Sequence, residues 1–133
     1  MRLRGYLMGD EARVNARADF VADYRAAGGV LPDGPKVSLL DDTGAVLGVA
    51  GFSRIAPRQW GAWAYLAEMA PRQWVRAARR ARLAIIGATG LLDGGCSIYA
   101  TPADTDAAQR LLASIGFRPS VDDAGIWKFE GAA

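Results

Sequence analysis

AWAYLAEMAPRQWVRAARRARLAIIGATGLLDGGCSIYATPADTDAAQRLLASIGF, residues 62–117, is the stretch whose reading decides the fold. Residues 62–69 have strand composition, a basic helical pattern follows from Pro71, residues 96–100 read as a second strand, and a final amphipathic helix stops at Ser114-Ile115-Gly116-Phe117. A strand–helix–strand step of this length implies two parallel strands joined by a right-handed crossover. Ligands of such sheets sit beyond the strand ends, near a helix N-terminus. Pro71 stands where a first helical residue belongs, since its missing N–H is one that a helix leaves unpaired anyway. From there to about Ala88, Trp74, Ala78, Ala81 and Ile85 recur at helical spacing, with Arg72, Arg76, Arg79 and Arg80 on the opposite side. Asp104 or Thr105 is the expected cap of the last helix. Ala108, Leu111, Leu112 and Ile115 make its buried stripe, and Gly116 takes the C′ position with Phe117 packing back.

Upstream, residues 2–8 alternate as a first strand, and Asp10 is placed to cap a helix running to about Ala27, where Gly28-Gly29 stops it. Residues 36–40 and 45–55 read as a hairpin turned at Asp41-Asp42-Thr43-Gly44, and residues 57–61 link it to the fourth strand. Gly48 and Gly51 within that return strand mark a bulge or close packing. Downstream, residues 121–123 and 126–130 read as a closing hairpin. The whole is a single α/β domain, residues 1–133, with a mixed, mainly antiparallel sheet and helices on both faces. Ala-Pro-Arg-Gln-Trp occurs twice, at 56–60 and 70–74, each time as a strand exit.

The 133 residues are 51% hydrophobic and 23% charged, which suits a globular domain with a real core and argues against disorder. A net charge of +2 is too small to imply nucleic acid. Cys96 is the only cysteine, so no internal disulfide forms, and it reads as a small buried hydrophobe in a strand. Neither a signal-peptide apolar run nor a membrane-length segment is present, and a cytoplasmic protein is expected. The chain has no histidine. That excludes Ser-His-Asp and Cys-His nucleophile systems and His-containing zinc sites, and no metal is expected.

The element order, with Ala108-x-x-Leu111-Leu112-x-x-x-Gly116-Phe117 set against Asn-x-x-Ala-x-x-Leu-Tyr-x-x-x-Gly-Phe, resembles the GNAT (Gcn5-related) N-acetyltransferase superfamily over nearly the whole chain. The aromatic-basic strand exit at Gln73-Trp74 and the arginine-rich helix after it are also similar to the short GNAT-like virion or virion-assembly proteins of T7-like phages. The resemblance implies an acyl-CoA N-acyltransferase fold, acetyl-CoA as cofactor and an amine as acceptor. Backbone groups near Leu66 and Met69 would then meet the pantetheine, with Val75, Arg76, Ala77 and Arg79 near the phosphates.

The departures are as informative. The family pattern Gln/Arg-x-x-Gly-x-Gly/Ala brings backbone N–H groups up to a pyrophosphate. Counted from Pro71, its positions hold Trp74, Ala77 and Arg79. An arginine at the second small position either blocks close approach or replaces lost amides with a guanidinium. The family's tyrosine, which often protonates the leaving thiolate, is Leu112 here, so either another group such as Tyr99 or Tyr65 supplies the proton or no transfer occurs. Glu68 is the only carboxylate between Asp42 and Asp93, and it is the candidate general base; the alternative is a strand-end carboxylate that is solvated or paired with a nearby arginine. Two readings follow: an acyl-CoA-dependent N-acetyltransferase or its degenerate relative, and a non-catalytic phage-type assembly protein using the fold for protein contacts. In the second, a partner or a further copy of the chain would dock at the Trp60/Trp74 region, because tryptophan and arginine are enriched at contact hot spots.

Overall fold

The structure, a computed structural model, describes residues 1–103 and 105–131. Strand β1 (Arg2–Gly5) is followed by α1 (Ala18–Ala26), β2 (Lys36–Leu40), β3 (Val46–Ala56), β4 (Gln59–Leu66), α2 (Pro71–Leu91), β5 (Ser97–Ala100), α3 (Asp106–Ile115), β6 (Phe117–Pro119) and β7 (Trp127–Phe129). Short 3-10 turns occupy Asp10–Arg13 and Leu92–Gly94. The strands form one seven-stranded sheet in the order β1-β2-β3-β4-β5-β7-β6. β4 and β5 pair in parallel from Gln59↔Ser97 to Gly61↔Tyr99, and α2 is their crossover. The pairs β1–β2, β2–β3, β5–β7 and β6–β7 are antiparallel. This is the mixed, mainly antiparallel α/β sheet expected from the order of elements, with the parallel pair that the strand–helix–strand stretch implies.

The chain divides into two compact units, Met1–Ser53 with Trp63–Ala77, and Arg54–Ala62 with Ala78–Ala133. In the first, Val14, Leu40, Val46, Val49 and Ala67 form the core, with Trp63 and Tyr65 packed against it. The register of β2 on β3 shifts between Leu39 and Leu40, a bulge beside Gly48. A Cβ at Gly48 would lie 2.3 Å from Leu66 Cδ2, and one at Gly51 would lie 2.4 Å from the Pro35 carbonyl oxygen. Both glycines thus serve the bulge and close packing expected of them.

Two features of the first unit depart from expectation. No helix runs from Asp10 to Ala27: a 3-10 turn, an extended step and the shorter α1 take its place. The reason is tertiary, since Ala16 bridges Ala67 and the Arg17 N–H donates to the Leu66 carbonyl (2.9 Å), which holds the backbone extended. Asp10 is no cap; it is 2% exposed and accepts from Ser38 Oγ (2.6 Å), the Leu7 N–H (2.9 Å) and Arg4 Nη1 (3.1 Å).

In the second unit, Phe117 and Ile98 are fully buried, and Phe117 meets Phe129 edge-on at 5.5 Å. Gly116 ends α3 at φ 122°, where a Cβ would lie 2.9 Å from Phe129. Thr105 is the cap, its side chain accepting from the Ala108 N–H (3.1 Å); Asp104 lies outside the described residues. The closing hairpin exists, but its first arm is Phe117–Pro119 and not residues 121–123, since Phe117 enters the sheet as soon as α3 stops. β4 begins at Gln59, so the first Ala-Pro-Arg-Gln-Trp copy is a hairpin turn and the second a helix start. At that turn Asp93 accepts from the Arg58 N–H (3.0 Å), Trp60 Nε1 (3.0 Å) and Arg54 Nε (3.2 Å), which holds Arg58 at φ 63°. Cys96 precedes β5 and is half-buried, its thiol 3.6 Å from the Ala88 carbonyl oxygen; burial pushes its pKa up.

Candidate active site

β4 ends at Leu66, and the strand-like alternation continues for three more residues. Leu66, Ala67 and Met69 are buried, while Glu68 between them is exposed. The Ala67 N–H donates to the Leu47 carbonyl (2.8 Å), keeping this segment against β3 after β4 proper has ended. Helix α2 then opens at Pro71. Gln73, third in the helix, turns its Oε1 back onto the Ala70 N–H (2.9 Å), and the Trp74 N–H reaches the Ala70 carbonyl (3.1 Å). This is half of a capping box; Ala70 has no side-chain oxygen to return the other half.

Arg17 is the residue that sequence reasoning missed. Its guanidinium lies over Phe20 at 4.8 Å and over Trp74 at 5.1 Å, and it makes two hydrogen bonds to Asp19, from Nε at 2.7 Å and Nη2 at 2.8 Å. A planar cation forked onto a carboxylate and stacked on rings suits arginine and would not suit lysine. The hydrogen bond to Asp19 raises the Arg17 pKa against the opposing effect of burial, and the charges of Asp19 and Glu68 add to the rise. Asp19 is lowered in turn, first by its hydrogen bond from Arg17. Only the Arg17-x-Asp19 spacing signalled this pair, and a continuous helix through residue 17 hid it.

Of the six residues expected around a CoA, Leu66 and Met69 are buried, Ala77 is half-buried, and Val75, Arg76 and Arg79 are exposed. The Leu66 carbonyl already accepts from Arg17. α2 is helical from Pro71, so the N–H groups of Val75, Ala77 and Arg79 point along the helix to carbonyls four residues back. Counting the family pattern from Gln73 moves its small positions to Arg76 and Ala78, which are also inside the helix. Those amides cannot turn to a pyrophosphate without unwinding α2, so the family's backbone cradle does not fit here. What remains for an anion is the N–H groups of Arg72 and Gln73 and the exposed guanidinium groups of Arg72, Arg76 and Arg79.

Of the acid–base candidates, Tyr65 is half-buried with its ring 5.0 Å from that of Tyr24, and Tyr99 is half-buried in β5. Leu112 lies on α3 and has no proton to give. Among the described residues, no group of three or more His, Cys, Asp or Glu could hold a metal ion. Trp60 and Trp74 belong to different compact units, and each has a partner inside its own: Asp93 for Trp60, and Arg17 for Trp74.

No protein-family model matches the sequence, and no curated protein matches it. Solved structures do match. A candidate phosphinothricin N-acetyltransferase is similar with a TM-score of 0.65 at 15% identity, over 99% of each chain. This chain has the GCN5-related N-acetyltransferase fold. A GCN5-related N-acetyltransferase from Kribbella flavida superposes with a TM-score of 0.59 at 18% identity, over 96% of this chain and 93% of that one. The GNAT-family YhbS of Escherichia coli, solved in complex with CoA, gives 0.56 at 15% identity over 96% and 78%. The likeness lies in the fold, at 15–18% sequence identity.

Proposed function

We propose that this chain is a degenerate relative of the acyl-CoA-dependent N-acetyltransferases, in which the fold persists as a protein-contact module and acetyl transfer has been lost. The observation that carries this reading is the uninterrupted helix from Pro71 through Arg79, which commits the amides of the phosphate-loop positions to hydrogen bonds along the helix. Two further features support it. Arg17 takes the Leu66 carbonyl, and leucine replaces the thiolate-protonating tyrosine at position 112. A role in virion assembly, in the host cytoplasm or the virion, is the setting that the Gln73-Trp74 exit and arginine-rich helix favour.

As an enzyme the same site would use Glu68 to take the proton of an amine, such as the spermidine named for one structural neighbour. Incubation with labelled acetyl-CoA and spermidine separates the readings. We expect incorporation at the no-protein background for both the wild type and Glu68→Gln. Turnover by the wild type that falls by roughly 10²–10⁴-fold in Glu68→Gln, the scale of a lost general base, would return the chain to the enzymes.

A further inference from the structure

The outer face of α2 is exposed among the described residues. Within the second compact unit it carries Arg79, Arg80, Leu83, Ile86, Gly87 and Gly90, all exposed, with Leu83 at 70% and Ile86 at 45%. The positions 79, 83, 86 and 90 follow the four-three-four spacing of a helix-packing seam. A Cβ added at Gly87 or Gly90 would find nothing within 4 Å. Glycine inside a helix destabilises it relative to alanine, and no close approach within this chain explains either one. On the solvent side they form a shallow place where another backbone can come near, bordered by Leu83 and Ile86.

Charge says what should lie there. α2 holds five arginines and no acidic residue in its 21 positions. Among the described residues, no carboxylate is within ion-pair distance of any of the five. A second copy would set like charge against like, so the face calls for an anionic occupant. A lipid surface would have no use for the glycine cradle, and a duplex offers no apolar ridge for Leu83 and Ile86. We infer that this face docks an acidic amphipathic helix of a partner protein, its apolar ridge along Leu83, Ile86 and the two glycines and its carboxylates against Arg79 and Arg80. The inference rests on the contact-module reading and gives that module its partner class.

The test is fluorescence anisotropy with a labelled synthetic helix of about 20 residues, long enough to be helical in water, built from Glu, Leu and Ala with leucines in a seam and glutamates flanking them. We expect saturable binding that weakens at least about tenfold in Gly90→Leu, a variant whose melting temperature is kept or raised, and similarly in Arg80→Glu. Absence of saturation with the wild type, unchanged binding by Gly90→Leu, or tighter binding to phosphatidylglycerol vesicles or duplex DNA than to the peptide would each overturn it. None of these readouts depends on acetyl-CoA, so failure here leaves the loss of acetyl transfer standing, and the reverse.

Discussion

At Asp10 burial is the largest single influence and pushes the carboxyl pKa up. The Ser38 hydroxyl, the Arg4 guanidinium and the Leu7 N–H together outweigh it and bring the group from 3.8 down to about 2. A carboxyl depressed on folding contributes stability that is complete above its unfolded pKa and is lost as pH falls through its folded one. The expected result is that folding weakens by roughly 2 kcal/mol between about pH 4 and pH 2 through this residue alone. Urea titrations at a series of pH values should show that step in the wild type and not in Asp10→Asn, which should be weaker by a similar amount at pH 7. A step of equal size in both proteins would contradict the assignment. None of this was legible in the sequence, where an acid before an apolar stripe reads as a helix cap. The competing bonds come from Ser38, 28 residues away, and from Arg4, and no local pattern announces them. Arg17 was hidden for the same reason, its determining contacts being with the β4 end and Trp74.

Elements were legible where local chemistry decides them. Pro71 starts α2 and Gly116 ends α3, each at the position its backbone preference dictates. Edges went astray where pairing decides. β4 starts earlier than its composition suggests because the Asp93 carboxylate organises the turn at Arg58, and Phe117–Pro119 becomes a strand by pairing with β7. Two substitutions probe this scale. Thr105→Ala removes the oxygen that caps α3 and should lower stability by about 1 kcal/mol. Gly51→Ala forces a methyl against the Pro35 carbonyl and the Trp63 ring and should cost roughly 1–3 kcal/mol through overpacking. Denaturant midpoints measure both. A neutral Gly51→Ala would mean that the strand yields there, against the close packing described.

For the molecule as a whole, the fold could be read because the parallel crossover and the helix stop are both written locally between residues 62 and 117. The candidate site could be read only in part. Arg79 at a small-residue position is visible in the sequence, but the continuity of α2 through that position, and its consequence for the amides, is not. With the phosphate-loop positions of this GNAT-like fold inside a helix, we expect CoA not to be held there. Calorimetric titration of the wild type and Arg79→Gly with acetyl-CoA tests it most directly. No saturable heat is expected for either protein up to about 1 mM, an affinity worth only about 4 kcal/mol. Saturation of the wild type at micromolar acetyl-CoA would contradict it.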